Sequence, residues 1–133
     1  MLIVDGANVV GSVPDGWWRD RKGAAERLRD NLRPLASTGL PDAPPELSAP
    51  LEIVLVVEGA AHGVSSVPEV RVVSAPGSGD DTIVDVVRTA TGERAVAVVT
   101  ADRGLRERVR LLGAVVLGPR ALPHLGGRRR EPS

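Results

Sequence analysis

Three short runs in this chain are apolar without interruption: Leu2-Ile3-Val4, Ile53-Val54-Leu55-Val56-Val57 and Ala95-Val96-Ala97-Val98-Val99. A strand with one wet face alternates apolar and polar residues. A strand that does not alternate has to be covered on both faces, which is the situation of a parallel sheet between two layers of helices. Val70 to Val73 and Ala114 to Leu117 supply two weaker runs of the same kind. Between the runs the apolar period changes to that of a helix. Leu28, Leu32 and Leu35 recur at i, i+4 and i+7 in a segment starting near Trp17, and the stripe returns as Ile83, Val84, Val87 and Ala90 and again as Leu105, Val109 and Leu112. Strand and helix patterns therefore alternate along the chain, which predicts a doubly wound α/β fold: a three-layer α/β/α sandwich around a mostly parallel five-stranded sheet.

At 133 residues and 42% hydrophobic content the chain suits one domain with a core of its own. Cysteine is absent, so neither disulfides nor thiolate metal sites contribute, in keeping with a reducing compartment. The N-terminus, Met1-Leu2-Ile3-Val4-Asp5, reads as neither a secretory signal nor a membrane span, and the expectation is a soluble cytoplasmic protein with no membrane partner. Seventeen basic residues balance seventeen acidic ones, so net charge does not mark the chain as a polybasic nucleic-acid coat or membrane binder, and the distribution of charge has to decide. All the cations but Lys22 are arginine, the residue whose planar fork suits phosphate, although an arginine-rich composition explains this without any site. Two stretches lack a period. Residues 36–50, with four prolines, are expected to form a surface loop inside a domain spanning 1–125, and residues 126–133, with Arg128, Arg129 and Arg130, a frayed basic tail.

Acidic residues fall at one end of these predicted strands. Asp5 ends the first, Glu58 the second, Asp102 follows Thr100 at the end of the fourth, and Asp80 and Asp81 open the helix after the third. In a parallel sheet all of these lie at the carboxyl edge, where this architecture binds ligands. Converging carboxylates repel one another unless they take up protons or share a cation. Oxygen donors without cysteine, and with only His62 and His124 as imidazoles, suit Mg2+ or Mn2+ rather than zinc. Such ions activate water and stabilise the oxygens of a phosphate ester, so phosphate-ester hydrolysis is the chemistry expected.

Each acid also has a plain structural role to weigh against that one. Asp102 precedes a helix and suits an N-cap, Ser78 and Asp81 match a capping box, and Asp80 complements a helix dipole. Glu58 before Gly59 suits a turn. Asp5 is harder to dismiss, because an acid at the end of a buried strand needs a partner. Asp85, one turn after Asp81, reads as part of a solvated face with Arg88 nearby, while His62 and His124 read as loop or packing residues. Trp17 and Trp18 are adjacent and face different ways, so one is expected in the core and the other at a rim.

Three segments, Ile3-Val4-Asp5-Gly6-Ala7-Asn8-Val9-Val10, Gly77-Ser78-Gly79-Asp80-Asp81-Thr82-Ile83 and Val98-Val99-Thr100-Ala101-Asp102-Arg103, together resemble the PIN-like nucleases, in particular the NYN family and its bacterial YacP-like branch. The resemblance spans residue 2 to about residue 110. It implies strand order 3-2-1-4-5 and metal-dependent cleavage of RNA, with single-stranded or structured RNA as the partner. Carried over by position, Asp5, Asp81 and Asp102 would be the acidic metal-site residues, Asn8 would orient Asp5 or contact phosphate, and Thr100 would support the site. Asp80 shares the doublet, and Glu58 stands where the branch has an aspartate. A metal-dependent nucleotide pyrophosphohydrolase is the alternative enzyme, and a catalytically inactive RNA- or nucleotide-binding module the non-enzymatic one; a homodimer is the alternative to a monomer. A dehalogenase-type phosphatase would need a second aspartate where Ala7 stands, and neither a dinucleotide-binding glycine motif nor a P-loop is found in the sequence.

Overall fold

In the computed structural model, which describes residues 1–13, 16–41 and 43–123 but not the side chain of Trp17, five strands form one parallel sheet. They are β1 (Leu2–Asp5), β2 (Ile53–Val57), β3 (Val70–Ser74), β4 (Ala97–Val99) and β5 (Val115–Leu117), in the order β3-β2-β1-β4-β5. The two predicted edges trimmed by a residue or two are Ala95-Val96 before β4 and Ala114 before β5. His124 and the tail at 126–133 lie outside the described residues.

The unbroken apolar runs are explained by burial on both faces. Leu2 and Val4 enter one core with Val9, Leu28 and Leu32, whereas Ile3 enters the opposite core with Ile83, Val87, Leu105 and Val109. The first core is roofed by α1 (Gly6–Gly11), α2 (Arg21–Leu32) and α3 (Leu35–Thr38); the second by α4 (Gly79–Ala90) and α5 (Arg103–Leu111). Each fully buried Leu, Ile or Val contributes about 1.5–3 kcal/mol by leaving water. Asp85 and Arg88 sit on the outer face of α4 and form an exposed ion pair at 3.2 Å, as the sequence pattern implies.

The proline-containing stretch at 36–50 is more than a surface loop. Its first residues complete α3, and Leu40 and Leu47 are buried in the first core. A short 3-10 turn, Pro45–Leu47, explains how: proline at the first position of such a turn forgoes a donor that would be idle, and the turn then aims Leu47 inward. Trp18, in the turn Trp17–Arg19, is 56% exposed, with the Arg19 guanidinium 5.7 Å from its ring centre. Among the described residues no helix is long and apolar enough to cross a membrane.

Candidate metal centre at the carboxyl edge

The register of the sheet builds half of the site. Val4 is level with Val99, so Asp5 and Thr100, each one residue further on, leave the sheet side by side. Both are buried. The Thr100 hydroxyl donates to Asp5 Oδ2 at 2.8 Å, and its oxygen accepts from the Asp102 backbone N–H at 3.1 Å. Asp5 is also the N-cap of α1, its Oδ1 accepting from the Asn8 N–H at 3.4 Å. The Asn8 side-chain oxygen in turn accepts from the Ala101 N–H at 2.8 Å. Asp102 caps α5 through Oδ1, which accepts from Leu105 N–H at 2.9 Å and leaves Oδ2 outside that bond. Asp5, Asn8, Thr100 and Asp102 are thus one hydrogen-bonded unit joining two neighbouring strands.

The other half comes from β2 and α4. Glu58 follows β2 and accepts from the Gly79 N–H at the start of α4. A side chain at position 79 would put its Cβ 2.4 Å from the same Glu58 oxygen, so glycine is what permits this approach. Ser78 caps α4, accepting from Asp80 N–H at 3.1 Å. The reciprocal half of a capping box is not formed, because Asp81 turns the other way and pairs with Arg108 of α5 at 3.1 Å, with its side chain 74% exposed. Asp80 is the member of the doublet that faces the other acids.

Acidities record that convergence. Burial raises the pKa of Asp5; the Thr100 and Asn8 hydrogen bonds oppose the rise, and the charges of Asp80 and Glu58 add to it. Asp80 is raised as well, first by burial, then by Asp102 and Glu58, with Arg108 opposing and Asp81 adding. Asp80 is the hub of these contacts: it and Glu58 both act on Asp5, and Glu58 and Asp102 both act on it. The set is all oxygen, the chemistry of Mg2+ or Mn2+. Among the described residues no three acids or histidines already stand close enough to enclose an ion together, so closing on a cation requires side-chain rotation. His62 closes the turn Gly59–Ala61 that follows Glu58.

One contributor is not signalled by the acidic pattern. Gly6 follows Asp5 where a Cβ would meet the Val56 carbonyl oxygen at 2.6 Å, a close approach that an Asp-Gly pair leaving a strand can signal.

No protein-family model and no curated protein matches the chain. Among solved structures, Rae1 (YacP) from Bacillus subtilis superposes with a TM-score of 0.73 at 17% identity, covering 92% of this chain and 70% of that one. A tryptophan-to-leucine mutant of the same protein gives 0.71 at 17% identity, over 91% of this chain and 70% of that one. The chain thus shares the fold of YacP, an NYN-domain protein and the namesake of the branch that its three segments resemble.

Proposed function

We propose that this chain is a metal-dependent ribonuclease that hydrolyses RNA phosphodiester bonds at the carboxyl edge of its sheet. The observation behind this reading is the buried Asp5 carboxylate facing Asp80 and Glu58, an arrangement that costs stability until a cation joins it. Asp5, Asp80 and Asp102 are the residues that would hold Mg2+ or Mn2+. Such an ion supplies positive charge for the phosphoryl oxygens and makes water a better nucleophile.

The remaining residues hold that arrangement in place. Thr100 fixes the Asp5 carboxylate and the Asp102 backbone with one hydroxyl, and Asn8 fixes the loop between them. Gly79 N–H holds Glu58 against the start of α4. Arg103 and Arg106 open α5 directly after Asp102; Arg108 and Arg110 are paired with Asp81 and Glu107, whereas no ion pair is found for Arg103 or Arg106 among the described residues. Those two guanidiniums would be the ones to receive phosphates of the strand.

Incubation of labelled single-stranded RNA with the purified protein, with Mn2+ and with chelator, tests the reading. Cleavage is expected only with the metal, and is expected to vanish in Asp5→Asn, which keeps the shape of the side chain and removes its charge. Cleavage by Asp5→Asn at the parental rate would place the activity elsewhere, and turnover of nucleoside triphosphates without RNA cleavage would favour a pyrophosphohydrolase.

A further inference from the structure

Beside the carboxylate edge, between α1, α2 and the end of β2, lies an open cavity of about 160 Å³. Its apolar walls are Ala7 and Val10 of α1, Ala25 of α2, and Val57, with Arg21 and Glu58 as its charged members. An apolar cavity of about 150 Å³ accepts a benzene ring, whereas pockets for drug-sized ligands run to roughly 300–1,000 Å³. The space, open on one side, therefore suits one flat aromatic group rather than a drug-sized ligand.

Its position says which ring. Gly6, the neighbour of Asp5, lines the cavity, and so does Glu58, which is in electrostatic contact with Asp5 and Asp80. A phosphate held at the carboxylates has the cavity within reach of the base on the adjoining nucleotide. Apolar side chains suit the faces of a base, and a carboxylate accepts from the N–H groups on its pairing edge. A base inside a duplex cannot make those contacts, because its faces are stacked and its edge is paired.

We propose that this cavity receives one unpaired base of the strand, next to the phosphate at the carboxylate edge. The substrate named here rests on the ribonuclease reading, but the recognition itself is measurable without catalysis. Backbone amide NMR in chelator, with adenosine, cytidine or ribose as the added probe, reads it directly. Either nucleoside is expected to give saturable shifts at Ala7, Gly59 and Ala61, and ribose none. Ala7→Leu fills the mouth from an exposed position and is expected to weaken the nucleosides at least about tenfold. Val10→Phe, at a half-buried position on the same wall, is the second blocker should Ala7→Leu melt early.

Absence of shifts, equal shifts with ribose, or nucleoside binding unchanged by a folded blocking variant would overturn the proposal. Nucleoside binding without Mn2+-dependent RNA cleavage would leave the base site standing and remove the ribonuclease reading. Cleavage without nucleoside binding would do the reverse.

Discussion

A carboxylate at the end of a buried central strand has few ways to be satisfied, and Asp5 uses two hydrogen bonds while facing two other acids. For Asp5 and Asp80 the folded-state pKa lies above the ordinary carboxylate value, so the folded chain holds these protons more tightly than the unfolded one. Stability of the metal-free protein should then fall as pH rises from the unfolded pKa through the folded one, and the cost is fully present above that window. Asp80→Asn removes its share. The variant should melt higher than the parent at about pH 7 in chelator and alike at about pH 3; calorimetry showing a lower melting temperature at neutral pH would mean that the ionised Asp80 is stabilising. Thr100→Val tests the hydroxyl in the same network. It strands the Asp102 N–H and one Asp5 oxygen, and should cost about 1–3 kcal/mol in urea unfolding, with Thr100→Ser largely restoring it. A parent-like midpoint for Thr100→Val would show that water replaces the hydroxyl at no cost. That Asp5 needs a partner is legible in the sequence. That the partner is Thr100 depends on the β1–β4 register, which no run of apolar residues specifies.

The stripes of α2, α4 and α5 are legible because each helix buries one face, but the first is not one helix: it breaks after Leu32 at Arg33-Pro34, Leu35 opens α3, and Leu112 lies one residue beyond α5. The helix α1 is not, since Gly-Ala-Asn-Val-Val-Gly is too short to show a period; its one signal is Asp5 as a cap. Nor does the pattern orient the Asp80-Asp81 doublet. Neighbouring residues on a helix point about 100° apart, so one acid of the pair meets the edge and the other meets α5, and only the packing of α4 says which. The resemblance to the NYN family put Asp81 in the metal site; the geometry favours Asp80, with Asp81 engaged by Arg108. Asp80→Asn should therefore lower RNA cleavage by at least about a hundredfold, or about 2.7 kcal/mol of transition-state stabilisation. Asp81→Asn should lose only an exposed ion pair, about 0–1 kcal/mol of stability, with turnover within a few-fold of the parent. Single-turnover rates at fixed Mn2+ decide between them, and the opposite ranking would return Asp81 to the site.

At the scale of the molecule, the strand order places β1 between β2 and β4, so the carboxyl ends of three central strands and the starts of α1, α4 and α5 meet at one place. Alternation of strand and helix made this α/β sandwich legible, and the order β3-β2-β1-β4-β5 is the one the family resemblance implies. The base-sized cavity was not legible, because Ala7, Arg21 and Val57 come together only through tertiary packing. A cation that binds the folded state alone stabilises it by RT ln(1 + [L]/Kd), about 2.7 kcal/mol at a hundredfold excess over Kd. Mn2+ should raise the melting temperature of the parent, and much less that of Asp5→Asn. The location of the ion is the more direct test. In an amide NMR titration with substoichiometric Mn2+, paramagnetic broadening should first remove the signals of Gly6, Asn8, Asp80, Ala101 and Asp102, and should spare them in Asp5→Asn. Broadening that begins elsewhere, or that removes the same signals equally in Asp5→Asn, would contradict a metal centre at the carboxyl edge.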